Sequence, residues 1–301
     1  KDGIDARILP FGHGDGGGGP TRDHLEYLRR QGNLEGMPRT TIASPIDFFQ
    51  AEERRHAALP SYVGELYFQA HRGTYTTKAK TKKGNRKSEF ALREAEMWGA
   101  AAQWLTKHRY PAAAMEEAWK GTLLNQFHDI IPGSSIQRVY EEAEALYAKV
   151  IATARQTAEN AARALLESEP GAVTAFNSLN WERKALVKLP KGFHGASVDG
   201  VTLPSQAVAG ATLVEAKIPS CGWATLRQAK AATEASALAA TTKSLENELL
   251  RLTVNDRGEI ASLWDKEAGR EWAAGPLNAL RMFKDVPRWF DAWDIDSTYK
   301  C

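Results

Sequence analysis

The spacing of apolar residues changes once along this chain, at Pro170-Gly171. Before that point, residues 86–167 repeat their apolar positions every three or four residues, the period of a helix packed on one side. After it, short runs are broken by Gly, Pro, Asn and Ser, the pattern of an antiparallel sheet. Two periods in one chain predict separate helical and sheet layers, each with its own core. The 301 residues suffice for two or three domains.

In the helical part, Phe90, Met97, Trp98, Ala101, Trp104 and Leu105 fall on one face of a first helix. Pro111 separates it from a second, where Met115, Trp119, Leu123 and Phe127 keep helical spacing. Ser134 and Gln137 form a capping-box signature for a third. Its stripe is Ile136, Val139, Tyr140, Ala143, Leu146, Tyr147, Val150 and Ala154. Short turns between such helices favour an antiparallel three-helix bundle, assigned to residues 62–169, with most of these aromatics in its core.

Residues 170–301 read as the start of an antiparallel β-sandwich, with strands near 172–176, 185–189, 213–218 and 223–227. Asn255-Asp256-Arg257-Gly258 is a hairpin signal between strands at 249–254 and 259–264. Residues 229–243 are rich in Ala and Thr and read as a surface linker. Residues 1–61 read as the last part of an α/β layer. There a strand at 8–12 runs into a glycine loop, Thr21 caps a helix from Arg22 to about Gln31, a second strand spans 39–43, and Ser44 caps a helix opening at Pro45. The expected fold class is therefore multidomain, α/β then α then β.

Hydrophobic content of 43% and charged content of 25% are ordinary for a globular chain. A net charge of +2, from 39 basic and 37 acidic residues, gives no support for a nucleic-acid partner. The basic run at 78–87 is most simply a solvated loop; a grip on anionic or hydroxyl-rich ligands is the other reading. Two distant cysteines, Cys221 and Cys301, make neither a disulfide framework nor a zinc motif, and fit a reducing compartment. No apolar stretch is long enough to span a membrane, and no signal peptide opens the chain. The abrupt start at Lys1 and end at Cys301 read as those of a fragment.

Three segments could carry chemistry. Gly14-Asp15-Gly16-Gly17-Gly18-Gly19 invites a phosphate reading, but the loop ends in Pro20-Thr21 where a nucleotide P-loop needs Lys-Ser/Thr. Glycines also let a backbone pass close to a ligand, and Asp15 would then be an acceptor for sugar hydroxyls or an acid/base; a flexible turn is the plain alternative. Glu65 stands among Leu66, Tyr67 and Phe68, a setting that raises a carboxyl pKa as a general acid requires, unless it is a surface residue. Arg72 could bind a carboxylate or order the site. His128 and Asp129 adjoin at the end of the second helix, before Pro132-Gly133. Imidazole is the commonest metal ligand, yet one His cannot hold a zinc ion, and an isolated His at a helix end is often structural.

Taken in order, Gly12 to Thr21, Glu65 to Thr77, Asn125 to Ser135, Phe176-Asn177 with Leu179, and Trp289 to Asp296 resemble the family-38 glycoside hydrolases, the zinc-dependent α-mannosidases, in the branch with bacterial and cytosolic members. The resemblance covers essentially the whole chain. It implies retaining hydrolysis of α-mannosides by two carboxyl groups roughly 5 Å apart, with zinc binding sugar hydroxyls. It implies Glu65 as acid/base, although secretory relatives carry Asp there. It implies His128 as a zinc ligand, and Asp129 and Asp15 as hydroxyl contacts.

The resemblance also implies that 1–61 close a barrel-like catalytic domain and that the protein is cytoplasmic. The expected partner is an α-mannoside oligosaccharide; a homo-oligomer is left open. No early His-x-Asp pair or nucleophile-bearing strand precedes Gly12, so the isolated chain is expected to bind zinc weakly and to catalyse nothing. The competing reading is a non-catalytic carbohydrate-binding or assembly module. A nucleotide-binding protein is a third, argued against by the missing Lys.

Overall fold

The structure, a computed structural model, describes residues 5–14, 17–55, 61–64, 71–232 and 237–300. The chain divides into two compact units, Lys1–Tyr67 and Phe68–Cys301.

In the first unit, helix α1 spans Arg22–Gln31. Its cap is reciprocal: the His24 amide donates to Thr21 Oγ1, and the Thr21 amide donates to His24 Nδ1, both at 3.2 Å. Helix α2, Pro45–Arg55, opens as expected, with the Asp47 amide donating to Ser44 Oγ and the Ser44 hydroxyl donating to Asp47 Oδ2. The strands expected at 8–12 and 39–43 are not strands. A strand needs a hydrogen-bonded neighbour, and here the backbone turns to local partners: the Thr40 amide donates to the Gly32 carbonyl at the end of α1. Among the described residues this unit holds no strand, so no closed barrel is present there.

The second unit begins with three long helices, α3 Ala79–Leu105, α4 Ala112–Asn125 and α5 Gln137–Leu165. Contacts climb α3 and α5 together, Gly84 meeting Tyr147 and Trp98 packing with Ala161, so these two run parallel. Helix α4 runs against α3, since Asn85 meets Gln126 while Glu96 meets Trp119. The core is built from small residues, Ala91, Ala95, Ala118 and Ala154, around Leu92, Met115 and Val150.

Three sequence expectations fail here. Phe90, Trp104, Leu105, Leu123, Phe127 and Ile136 are exposed, because the packed faces follow Ala, Gly, Thr and Ser rather than the largest apolar residues. The basic run is not a loop; from Ala79 it forms the first turns of α3. The Ser134–Gln137 capping box is absent, since Ile136 is the N-cap without a side-chain bond and Ser134 Oγ turns toward the Asp129 carbonyl.

Beyond α5 the described residues form three antiparallel sheets. Strands β1 Ala172–Asn177, β3 Ala196–Val198, β4 Val201–Thr202 and β7 Gly222–Gln228 form one, ordered β1-β7-β3-β4. Strands β2 Arg183–Lys188, β5 Ser205–Val208 and β6 Ala211–Ile218 form the second, ordered β2-β6-β5. The two share one core. Val214, Ala216 and Ile218 alternate inward on β6 with Glu215 and Lys217 outward, and meet Ala224 and Leu226 of β7. The third sheet comprises β8 Ala239–Ala240, β9 Ser244–Glu246, β10 Leu250–Val254, β11 Ile260–Asp265 and β12 Arg270–Glu271. The expected hairpin joins β10 to β11, where Asn255 Oδ1 accepts the amides of Arg257 and Glu259, and Gly258 takes a positive φ of 78°.

Helices and sheets meet at a seam of Trp98, Phe176 and Trp223, with ring centroids 5.0 to 6.4 Å apart. Beside it, Arg93 donates to the Ser178 carbonyl at 2.8 Å and the Ser178 hydroxyl donates to Glu94 at 3.0 Å. Asn177 is buried and fully engaged: its amide donates to the Trp181 and Pro219 carbonyls and its oxygen accepts from the Leu179 amide.

Candidate functional site

The loop between α4 and α5 carries His128 and Asp129. Buried Asn125 closes α4, its amide donating to the Ala143 carbonyl of α5 at 3.3 Å. The chain then tightens on itself: the Ile130 and Ile131 amides donate to the Phe127 carbonyl, and the Gly133 amide donates to the Ile130 carbonyl. The Ser135 hydroxyl donates to the Asp129 carbonyl at 2.7 Å, and the Ser135 amide donates to the Tyr140 hydroxyl at 2.7 Å. With its main chain committed in this way, the loop turns the His128 and Asp129 side chains outward. The side chains of His128 and Asp129 are 81% and 54% exposed. His128 Nε2 lies 3.6 Å from Asp129 Oδ2, and its ring rests tilted on Phe127, centroids 4.4 Å apart.

Arg72 opens a single 3-10 turn, Arg72–Tyr75, and is exposed. That turn is pinned to the far end of the chain. The His71 amide donates to Asp294 Oδ1, and the Gly73 amide donates to the Trp293 carbonyl, each at 2.6 Å. Thr77 Oγ1 donates to the carbonyls of Gly73 and Ala292. The His71 and Trp293 rings are 4.3 Å apart, and Trp293 in turn stacks on Phe290. A Cβ at Gly73 would lie 2.9 Å from the Trp293 carbonyl oxygen, which explains the glycine. Gly133, at φ 98°, comes so close to Thr77 that a Cβ there would lie 2.6 Å from the Thr77 methyl.

The structure thus gathers segments 71–77, 130–133 and 290–294, which are far apart in sequence. Asp15 and Glu65 lie outside the described residues. Sequence reasoning missed two groups in this junction, Lys82 and Asp294. Lys82 sends its ammonium to the carbonyls of Thr77, Ile131 and Pro132. Reading the basic run as helix would have put Lys78 and Lys82 one turn apart on one face.

For a metal, the donor chemistry fits in part. Among the described residues no group of three or more His, Cys, Asp or Glu side chains converges. His128 offers an accessible imidazole beside a carboxylate, at most one of the three or four protein ligands that zinc takes.

Two families of known domains match this chain. The family described as "Alpha mannosidase middle domain" matches residues 69–165, and "Glycosyl hydrolases family 38 C-terminal domain" matches residues 245–301. Both are α-mannosidase-type domains. The chain belongs to glycoside hydrolase family 38. Alpha-mannosidase 2C1 from Mus musculus is 38% identical over 297 residues, and that from Homo sapiens 37%; the alignments take in 95% of this chain. The chain spans about 27% of the length of these relatives. A crystal structure of a glycosyl hydrolase family 38 protein from Enterococcus faecalis matches 84% of this chain and 36% of its own, at a TM-score of 0.53 and 18% identity, a likeness of fold.

Proposed function

We propose that the protein containing this chain hydrolyses terminal α-D-mannosyl residues of oligosaccharides, with retention of configuration and with zinc. The observation that carries this reading is the solvent-directed His128–Asp129 pair on a loop fixed through its own backbone, inside the segment matched by the mannosidase middle domain. Glu65 protonates the departing glycosidic oxygen and then takes a proton from the incoming water. Asp129, Asp15 and Arg72 hold sugar hydroxyls, and His128 gives one imidazole nitrogen to the metal. Bound zinc supplies electrostatic grip on those hydroxyls. The attacking carboxylate and the other zinc ligands belong to other parts of the protein, so these 301 residues alone give no turnover.

In this reading 1–61 close the α/β catalytic domain, 62–169 form the middle helical domain and 170–301 begin the β-sandwich. A cytoplasmic setting fits the low cysteine content.

The test is hydrolysis of α-mannosides by the full-length enzyme. Glu65→Gln lowers turnover on a disaccharide by about 10²–10⁴-fold. The loss is smaller on an aryl mannoside whose phenolate leaves without a proton. His128→Ala lowers both turnover and bound zinc. Undiminished activity in either variant removes that residue's role.

A further inference from the structure

We propose that Lys82 is a positioning residue that locks the His128–Asp129 loop onto the turn carrying Arg72. An ammonium has three N–H donors and no acceptor. Three main-chain carbonyls face it: Thr77 from the turn, and Ile131 at 2.9 Å and Pro132 at 3.3 Å from the loop. Donor number matches acceptor number, and the acceptors belong to two segments about fifty residues apart in sequence. The Ile131 and Pro132 carbonyls both face Lys82 of α3.

The charge is at work in a part-buried place. Burial holds the Lys82 ammonium below the ordinary lysine pKa, and among the described residues its acceptors are carbonyls rather than carboxylates. A lysine serving only solubility would reach for water. The neighbouring contacts point the same way. Gly133 packs against Thr77 with no space for a Cβ, so the two segments are already at contact distance. Thr77 Oγ1 reaches on to Ala292, joining the third segment to the same junction. Lys78, one turn earlier, ties α3 to the start of α5 by donating to Gln137 Oε1 at 2.8 Å, over the Tyr140 ring. Lys82 therefore fixes where the loop sits, while His128 and Asp129 remain free to face a ligand.

The catalytic significance rests on the mannosidase reading above; the clamp itself does not. The experiment therefore has two arms. In the first, amide hydrogen exchange is followed on the full-length protein and its Lys82→Met and Lys82→Gln variants. The Ile130, Ile131 and Gly133 amides exchange at least tenfold faster in Lys82→Met, while those of Ala91, Leu92 and Ala95 keep their protection. Lys82→Gln, with one amide in place of the ammonium, falls between, and Lys82→Arg restores most of the protection. Unchanged exchange in the loop, or a uniform rise through all three helices, overturns the proposal.

In the second arm, the full-length enzyme carrying Lys82→Met loses at least tenfold in kcat/KM on an aryl α-mannoside, and Lys82→Arg recovers it. Faster exchange with unaltered kcat/KM also overturns the proposal. A wild-type enzyme inactive on α-mannosides sinks the mannosidase reading instead, and the exchange arm then decides the clamp.

Discussion

Gly84 sits in the second turn of α3 with the Tyr147 ring against it, and two opposed effects meet at this residue. Replacing a helical glycine by alanine gains about 1 kcal/mol in backbone propensity. A Cβ there would stand 2.6 Å from Tyr147 Cδ2 and 2.9 Å from Cγ. Tyr147 is itself 2% exposed and hemmed in, so the ring has little freedom to move aside. Overpacking of this kind costs about 1–3 kcal/mol, which outweighs the propensity gain. Gly84→Ala is expected to lower stability, read as an earlier urea midpoint with the slope unchanged. A later midpoint would show that the α3–α5 contact can open. Gly133→Ala faces a harder constraint, because its φ of 98° and the Thr77 methyl at 2.6 Å act together. It should destabilise by about 1–3 kcal/mol and accelerate amide exchange in the loop.

Helix α3 shows why the basic run reads as a loop in sequence yet folds as helix. Its first turn lacks an acidic residue, its N-cap Lys78 is left-handed with no side-chain cap, and several cations crowd the positive end of the helix dipole. Local rules alone favour a loop there. Packing reverses them: Thr81 and Ser88 are fully buried, Gly84 admits Tyr147, and Lys82 finds its three carbonyls. Facing α3, the Tyr147 hydroxyl of α5 is buried and has no hydrogen-bond partner among the described residues. Desolvation, with a smaller contribution from the Glu89 charge, pushes its pKa up to about 12. The neutral phenol is therefore preferred in the folded state. Its contribution is intact below the ordinary tyrosine pKa of about 10 and is lost as pH rises through about 12. Tyr147→Phe removes that alkaline decline. Its unfolding midpoint should match the parent at pH 7 within about 1 kcal/mol and exceed it above pH 10. Parallel curves for the two proteins would contradict the assignment.

At the scale of the second unit, the helices and the first sheet are joined through one aromatic seam. Trp98 is 5% exposed and touches both Phe176 and Trp223. Trp98→Ala should cost about 3–5 kcal/mol and should split a single calorimetric transition into two, helices and sheets melting apart. One unbroken transition would mean that Arg93, Glu94 and Ser178 couple them sufficiently by themselves.

Much of this architecture was legible from residue order, because caps, turns and alternation are local. Thr21, Ser44 with Pro45, the strand pattern of β6 and the Asn255–Gly258 hairpin each follow from chemistry within a few residues. The end of α4 just before His128 and Asp129 was legible for the same reason. What needed the third dimension was partner choice. Sequence cannot say that Ala91 and Ala95 pack inside while Phe90 and Trp104 face water, because close helix approach selects small side chains over large ones. Nor can it bring Lys82 to Ile131 and Pro132, or Asp294 to His71, since those bonds close only after the helices and the far end of the chain have met.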